Sequence, residues 1–365
     1  MKKLILTGVA AAVGMTALAD ITVNLPKDSD VKELNIQCGY VSNLGKRKLP
    51  ERTETIKVNA GKAVIPSMPD SAAMYMIPVG ERQAIQVFAN AGENITVNVA
   101  GMNPQEYTVS GSPLMEAVSA MEKESAKYLK AYREEAEKQN ANSDSMQKYA
   151  DAYDAVFADY VRNNPASEAA PYALMRMDGE AFLEYYGKLA PQIEKSMFRP
   201  LLEQQKVYVE RQVEAECRMA ELTSGNVDAP AFTFKDMQDK DVSLSDFKGK
   251  WVILDFWGSW CRWCIKGIPE LKAAYAKYKP ALEVISIDCR DARDTWMAAV
   301  KKYELPWVNV WNPDMDGGQI LRDYAVQGFP TKVIVDPQGK IRDITVGEDP
   351  SFYTKLENMM KSTAR

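Results

Sequence analysis

At 365 residues the chain exceeds the usual size of one compact domain, so two or three folded units are expected. Its 46% hydrophobic and 26% charged content is that of an ordinary folded protein, and a formal net charge of -5 argues against nucleic acid as a partner. The absence of histidine excludes Ser-His-Asp and Cys-His catalysis, most zinc sites and haem ligation by histidine.

Residues 1–19 read as a cleavable export signal. Lys2 and Lys3 give a positive start, Leu4 to Val13 an apolar stretch, and Ala17-Leu18-Ala19 a small-residue cleavage pattern. The stretch is short for a membrane span, which needs about 20 residues. No cysteine follows closely enough to accept a lipid, the first being Cys38. The mature protein is therefore expected to be soluble in the periplasm.

From residue 20 to 111 short alternating segments predict a small antiparallel β domain. Ile21–Leu25, Thr55–Val58 and Ile95–Val99 read as strands, with turns at Ala60-Gly61-Lys62 and Ala91-Gly92-Glu93-Asn94. The run Lys46-Arg47-Lys48 reads as a solvated loop. Cys38 alternates into the strand core.

Residues 112–225 predict a helical region rich in Ala, Glu, Lys, Met and Tyr. Ser112-Pro113 makes a helix start, and breaks fall near Asn140–Ser143, Asn163–Pro165 and Leu189–Pro191. Met175, Met177, Tyr185 and Tyr186 read as helix-packing residues rather than a cofactor site. Cys217, on the last helix, reads as a small buried apolar residue. Thr223-Ser224-Gly225-Asn226 is a linker.

Residues 226–365 alternate strand and helix, which indicates an α/β sheet domain. Val252–Phe256 reads as a buried strand, Ile268–Tyr278 as a helix, Leu282–Ile287 as a strand and Trp296–Tyr303 as a helix. Lys332–Asp336 and Ile341–Ile344 form a hairpin about Pro337-Gln338-Gly339, and a helix runs from about Phe352 to Lys361.

The chemistry-bearing segment is Asp255-Phe256-Trp257-Gly258-Ser259-Trp260-Cys261-Arg262-Trp263-Cys264. A buried strand ends, a short turn follows, and Cys261 stands at a helix N-terminus, where unpaired N–H groups favour a thiolate. The two-residue spacing lets both sulfurs share one helical turn, the first exposed and attacking, the second more buried and resolving. A zinc site needs two more ligands, and a c-type haem needs histidine where Ile265 stands, so no metal and no haem is expected at this pair. A static structural disulfide suits a strand-to-helix turn less well than a redox pair. Five cysteines at scattered spacing do not make a disulfide framework. Cys289 is expected on the active-site face of the sheet, most simply as an inert thiol.

These residues resemble the thioredoxin superfamily. Asp255–Cys264 is similar to its active-site segment, Pro269 to the proline that bends the first helix, and Gly328-Phe329-Pro330-Thr331 to the loop whose proline is cis and faces the disulfide. Ala229–Phe234 and Leu244–Lys250 resemble the entry into TlpA/ResA-type extracytoplasmic thioredoxins. Peroxiredoxins share that entry, but Gly258 stands at their threonine position. The whole chain resembles a fusion common in Bacteroidetes, with an N-terminal β domain of unknown function matched less specifically through Gln86–Val99 and Val109–Ser112.

The resemblance implies a periplasmic thiol-disulfide oxidoreductase, in the reductase direction, acting on disulfides of envelope proteins and reduced by an unidentified membrane electron donor. It makes Cys261 the nucleophile, Cys264 the resolving thiol and Asp255 the proton acceptor. Phe329, Pro330, Trp257, Trp260, Arg262 and Trp263 form the substrate groove, and no cofactor is needed beyond the disulfide. Arg262 beside Cys261 leaves an oxidase or isomerase role open, and an envelope scaffold with a structural thioredoxin domain is the alternative from another class. ResA-like proteins commonly carry a glutamate three residues after the second cysteine, where this chain has Gly267. A glutamate introduced there is expected to restore that carboxylate.

Overall fold

Side chains that alternate across each strand build the N-terminal part of the chain. The computed structural model describes residues 20–44, 50–68, 71–79, 83–101, 106–315 and 318–363. The expected export signal at residues 1–19 and the basic run Lys46-Arg47-Lys48 lie outside the described residues. Strands β1 (Asp20–Asn24), β2 (Glu33–Tyr40), β3 (Arg52–Lys57), β4 (Lys62–Pro66), β5 (Ala73–Val79), β6 (Gln83–Ala89), β7 (Ile95–Val99) and β8 (Tyr107–Ser110) form two four-stranded sheets. Their orders are β4-β1-β7-β8 and β3-β2-β5-β6. Pairing is antiparallel except between β1 and β7, which run parallel with Ile21 opposite Ile95 and Val23 opposite Val97. Cys38 points inward from β2 and is buried, as the alternation predicts.

Helix α1 (Pro113–Ala136) starts where Ser112 and Pro113 predict. The Ser112 hydroxyl accepts from the Met115 amide at 3.4 Å, and proline's missing N–H costs nothing at the first helical position. Helices α2 (Ser143–Asn163), α3 (Ala170–Leu174), α4 (Gly179–Lys188), α5 (Ala190–Lys195) and α6 (Arg199–Thr223) follow, broken where the sequence breaks. Phe88 of β6 stacks edge-on against Phe198 at 4.9 Å and lies 5.9 Å from Tyr172 of α3, so strands and helices share a core. The chain falls into two compact units that divide between Glu210 and Arg211, inside α6.

That division corrects the reading of Cys217, which is exposed rather than buried. Leu202 and Val209 of α6 are buried, as is Leu222 near its end, but Glu214, Glu216, Cys217 and Ala220 between them are exposed. Cys217 lies five residues before Leu222, roughly 140° around the helix, so it faces away from the core that Leu222 joins.

The C-terminal unit is a seven-stranded sheet of order β10-β9-β13-β12-β11-β14-β15. Its strands are β9 (Thr233–Asp236), β10 (Asp241–Ser243), β11 (Trp251–Trp257), β12 (Leu282–Asp288), β13 (Val308–Trp311), β14 (Thr331–Val335) and β15 (Ile341–Val346). Helices α7 (Arg262–Tyr278), α8 (Arg293–Lys302), α9 (Gly318–Asp323) and α10 (Ser351–Thr363) alternate with them. Parallel β11, β12 and β13 form the centre, and antiparallel β14 pairs with β11. All seven residues of β11 are buried, and so are all seven of β12. Val252, Leu254 and Phe256 pack with Leu321 and Tyr324 on one face; Trp251 and Ile253 pack with Leu271, Tyr275, Phe352 and Leu356 on the other. Asp255, of the same parity as Ile253, therefore faces the side that α7 covers.

Gly111 turns the chain from β8 into α1 with φ +88°, and a Cβ there would collide with the Asn94 carbonyl oxygen. Gly111→Ala is expected to destabilise the N-terminal unit by about 1–3 kcal/mol. Thermal unfolding of the full chain by circular dichroism should show a lower midpoint; an unchanged melt would contradict the strain.

Candidate functional site

Cys261 caps α7. Its backbone is extended, its carbonyl accepts from Ile265 N, and its sulfur accepts from Cys264 N at 3.1 Å. Cys261 and Cys264 are joined by a disulfide with Cα atoms 5.3 Å apart. The N-terminal end of α7 thus places its unpaired N–H groups, and their partial positive charge, at the pair. The expected contrast in exposure is not found: Cys261 is 6% and Cys264 5% exposed, because both pack with Trp257, Trp296 and Phe329.

The turn before Cys261 is clamped by a segment the sequence did not single out. Buried Asp291 accepts from the Ser259 amide at 2.6 Å and from the Ser259 hydroxyl at 2.8 Å. Trp260 donates its indole N–H to the Cys289 carbonyl at 3.0 Å, and Trp311 donates to the Asp291 carbonyl at 2.9 Å. A side chain at Gly258 would meet both the Trp260 ring and that Cys289 carbonyl, so glycine is what lets the indole fold back. Asp288, also buried, has its carboxyl pushed up to about 9, first by burial and then by the neighbouring Asp291, so it holds a proton at neutral pH.

Cys289 does not lie on the expected face. One residue past β12, alternation carries it to the side of Ile285 and Ile287, away from Trp257 and the disulfide. Burial pushes its thiol far above the ordinary range.

The remaining predicted residues separate into buried and exposed groups. Trp257 is 2% exposed and offers no surface to a partner, whereas Trp260 and Trp263 are 49% and 58% exposed. Arg262 is exposed in the first turn of α7. The Phe329–Pro330 peptide is cis. Phe329 packs against the disulfide cluster, meets Trp260 edge-on at 5.2 Å, and lies beneath the Arg290 guanidinium at 5.3 Å.

Asp255 sits on the face covered by α7 and accepts from the Ser286 hydroxyl at 2.8 Å, which in turn accepts from Trp307 Nε1 at 2.8 Å. Burial raises its carboxyl above the usual range, opposed by the positive charge of Lys332 and by the Ser286 bond. Lys332 stands opposite Asp255 in the β11–β14 register and donates to Glu348 at 2.6 Å. A Cβ built on Gly267 would fall inside contact of the Glu348 carboxyl group. The expected benefit of a glutamate at position 267 therefore does not follow, since a carboxylate already fills that space. Neither Lys332 nor Glu348 carries a motif, and only packing reveals them. Among the described residues no group of three or more His, Cys, Asp or Glu side chains is placed to hold a metal ion.

Residues 226–344 match the AhpC/TSA family. The thiol-disulfide oxidoreductase ResA of Bacillus thuringiensis subsp. konkukian is 35% identical over 135 residues, 37% of this chain and 75% of that protein. ResA of Bacillus subtilis is 32% identical over 128 residues, 35% of this chain and 70% of that protein. The thioredoxin domain of a thiol-disulfide oxidoreductase from Bacteroides vulgatus, a solved structure, is 32% identical, with a TM-score of 0.35 over 37% of this chain and 96% of that one. The chain belongs, through its C-terminal domain, to the AhpC/TSA family and is a thioredoxin-like thiol-disulfide oxidoreductase related to ResA.

Proposed function

We propose that this chain is an exported periplasmic reductase of protein disulfides, with Cys261 and Cys264 as its only redox groups and no bound cofactor. The observation that carries the reading is the Cys261–Cys264 disulfide at the N-terminus of α7, on the sheet face that also holds a buried carboxyl of raised proton affinity. In the reduced enzyme the Cys261 thiolate attacks one sulfur of a substrate disulfide. A mixed disulfide forms and the first substrate thiolate leaves. Cys264 then gives its proton to Asp255 and attacks the Cys261 sulfur, and the second substrate sulfur leaves as a thiolate that can take up the proton Asp255 holds. The enzyme is left oxidised, and two electrons from a membrane dithiol donor restore it. Phe329 and Pro330 form the ledge on which the substrate chain docks, with Trp260, Trp263 and Arg262 around it and Trp257 behind the pair. The envelope protein that serves as substrate is recognised by this aromatic surface. The export signal expected at residues 1–19 is the feature that favours this location.

Turnover in an insulin-reduction assay with dithiothreitol tests the activity. A wild-type chain that gives none would favour the scaffold reading, and Cys264→Ser should trap substrate proteins as mixed disulfides.

The thiols should respond in a fixed order. In the oxidised protein iodoacetamide should modify exposed Cys217 and leave buried Cys38 and Cys289 untouched. After mild reduction Cys261 should react before Cys264, since a helix-N-terminal thiol of this family has a pKa near ~7 rather than ~8.5. Peptide mass spectrometry that found Cys264 or Cys289 labelled first would reverse the assignment.

Asp255→Asn should slow resolution of the mixed disulfide more than the first attack. General-base assistance is typically worth ~10²–10⁴-fold, so mixed disulfides should accumulate in rapid-quench experiments. Resolution at the wild-type rate between about pH 6 and 9, a range that brackets a free thiol, would reduce Asp255 to a structural role.

A further inference from the structure

Gly267 lies in α7 three residues after Cys264 and is buried, yet the space its missing side chain leaves is not empty. Glu348 fills it from the loop between β15 and α10. Two backbone features aim this loop: Gly347 adopts φ +83°, and its N–H donates to the Pro330 carbonyl at 2.7 Å. The loop that carries Glu348 is thereby tied to the loop that packs against the disulfide.

The Glu348 carboxylate accepts from Lys332 Nζ at 2.6 Å, with side-chain exposures of 4% for the lysine and 17% for the glutamate. Lys332 is the cross-strand partner of Asp255, and both side chains project to the face that α7 covers. One ammonium therefore shares this covered face with two carboxyl groups. Its ion pair goes to Glu348; among the described residues Asp255 has no ion pair and takes its hydrogen bond from neutral Ser286.

We propose that Glu348 is a positioning residue of the redox site, which engages the Lys332 ammonium through the space left by Gly267 and so leaves Asp255 able to carry and release a proton. The proposal rests on the reading of Asp255 as proton acceptor. Other groups bear on the same region: Tyr353 of α10, whose buried hydroxyl feels Glu348, Asp255 and Glu270 of α7, and Cys289 beyond β12, which feels Asp255. None of these supplies a positive charge, so the balance at Asp255 is set by Lys332 and by what neutralises it.

With Glu348 neutral, the Lys332 charge acts on Asp255 without compensation and stabilises the ionised carboxylate. Glu348→Gln should therefore move the Asp255 titration midpoint down by about 1–3 pH units, the usual effect of one nearby charge in a buried site. Gly267→Ala removes no charge but displaces the Glu348 carboxylate, and should shift the midpoint in the same direction by less.

The test is a ¹³C NMR titration of the Asp255 carboxyl in the full reduced chain, assigned with Asp255→Asn, alongside the pH profile of mixed-disulfide resolution. The midpoint and the rise of the profile should fall together in Glu348→Gln, and the profile shift should vanish in the Asp255→Asn background. If Glu348→Gln does not fold, Gly267→Ala carries the test. A midpoint that stays or rises in the folded variants overturns the role of Glu348. A midpoint that falls while the wild-type resolution rate ignores Asp255 upholds the role of Glu348 and refutes Asp255 as proton acceptor.

Discussion

The central strand β11 is covered on both faces, and this constraint places the site. Seven consecutive buried residues leave no solvent-facing row, so both faces must be covered, and within the sheet parallel β12 pairs on one edge and antiparallel β14 on the other. Such strands sit inside sheets flanked by helices. The chain then has to leave the sheet at Trp257 and return over it as α7. The turn between them, Gly258 to Cys261, is short and is held at Ser259 and Trp260 by the loop that follows β12. The disulfide stands at this exit because the helix N-terminus and the strand end are brought together there.

The same burial creates the charge problem beneath α7. Asp255 and Lys332 face a covered surface, where an unpaired charge costs several kcal/mol. The chain answers unevenly. Lys332 is paired with a carboxylate that still touches solvent, while Asp255 receives only a hydroxyl hydrogen bond and is left with a raised proton affinity. A carboxyl group in that condition exchanges protons nearer neutral pH than a free one, which is what a partner for a thiol requires. Had Lys332 turned to Asp255 instead, the carboxylate would be fixed in its charged form and would be a poorer base.

What could be read in advance was what depends on neighbours in sequence. The cap Ser112-Pro113, the breaks between helices, the buried run of β11 and the C-x-x-C at a strand-to-helix turn are all local patterns, and each falls where the residues predict. Cys289 departs from expectation by one step of a period-2 pattern, since its strand ends at Asp288 and the next side chain crosses to the other face. Cys217 departs from expectation because α6 spans the division at Glu210, and its buried residues fall on different faces before and after it. Asp291 and Glu348 carry no local signal. They act across 32 residues to Ser259 and 16 residues to Lys332, and only the packed chain shows them. Gly267 was visible as a departure, but the carboxylate that occupies its space comes from the far side of a hairpin.

The two sulfurs and the surface around them are built on opposite terms. Both cysteines are nearly excluded from water, while the indoles of Trp260 and Trp263 beside them are about half exposed. Burial of such rings contributes roughly 25 cal/mol per Å² of apolar area, so these two indoles have the most to gain on this surface from being covered. Phe329 links the two zones, since it packs on the buried cluster from below and meets Trp260 at its edge. Arg290 lies over the same ring, with its guanidinium 5.3 Å from the ring centroid. Under the proposed function, access to the disulfide is governed by the same side chains that would offer a partner its binding area, which couples docking to chemistry at Phe329.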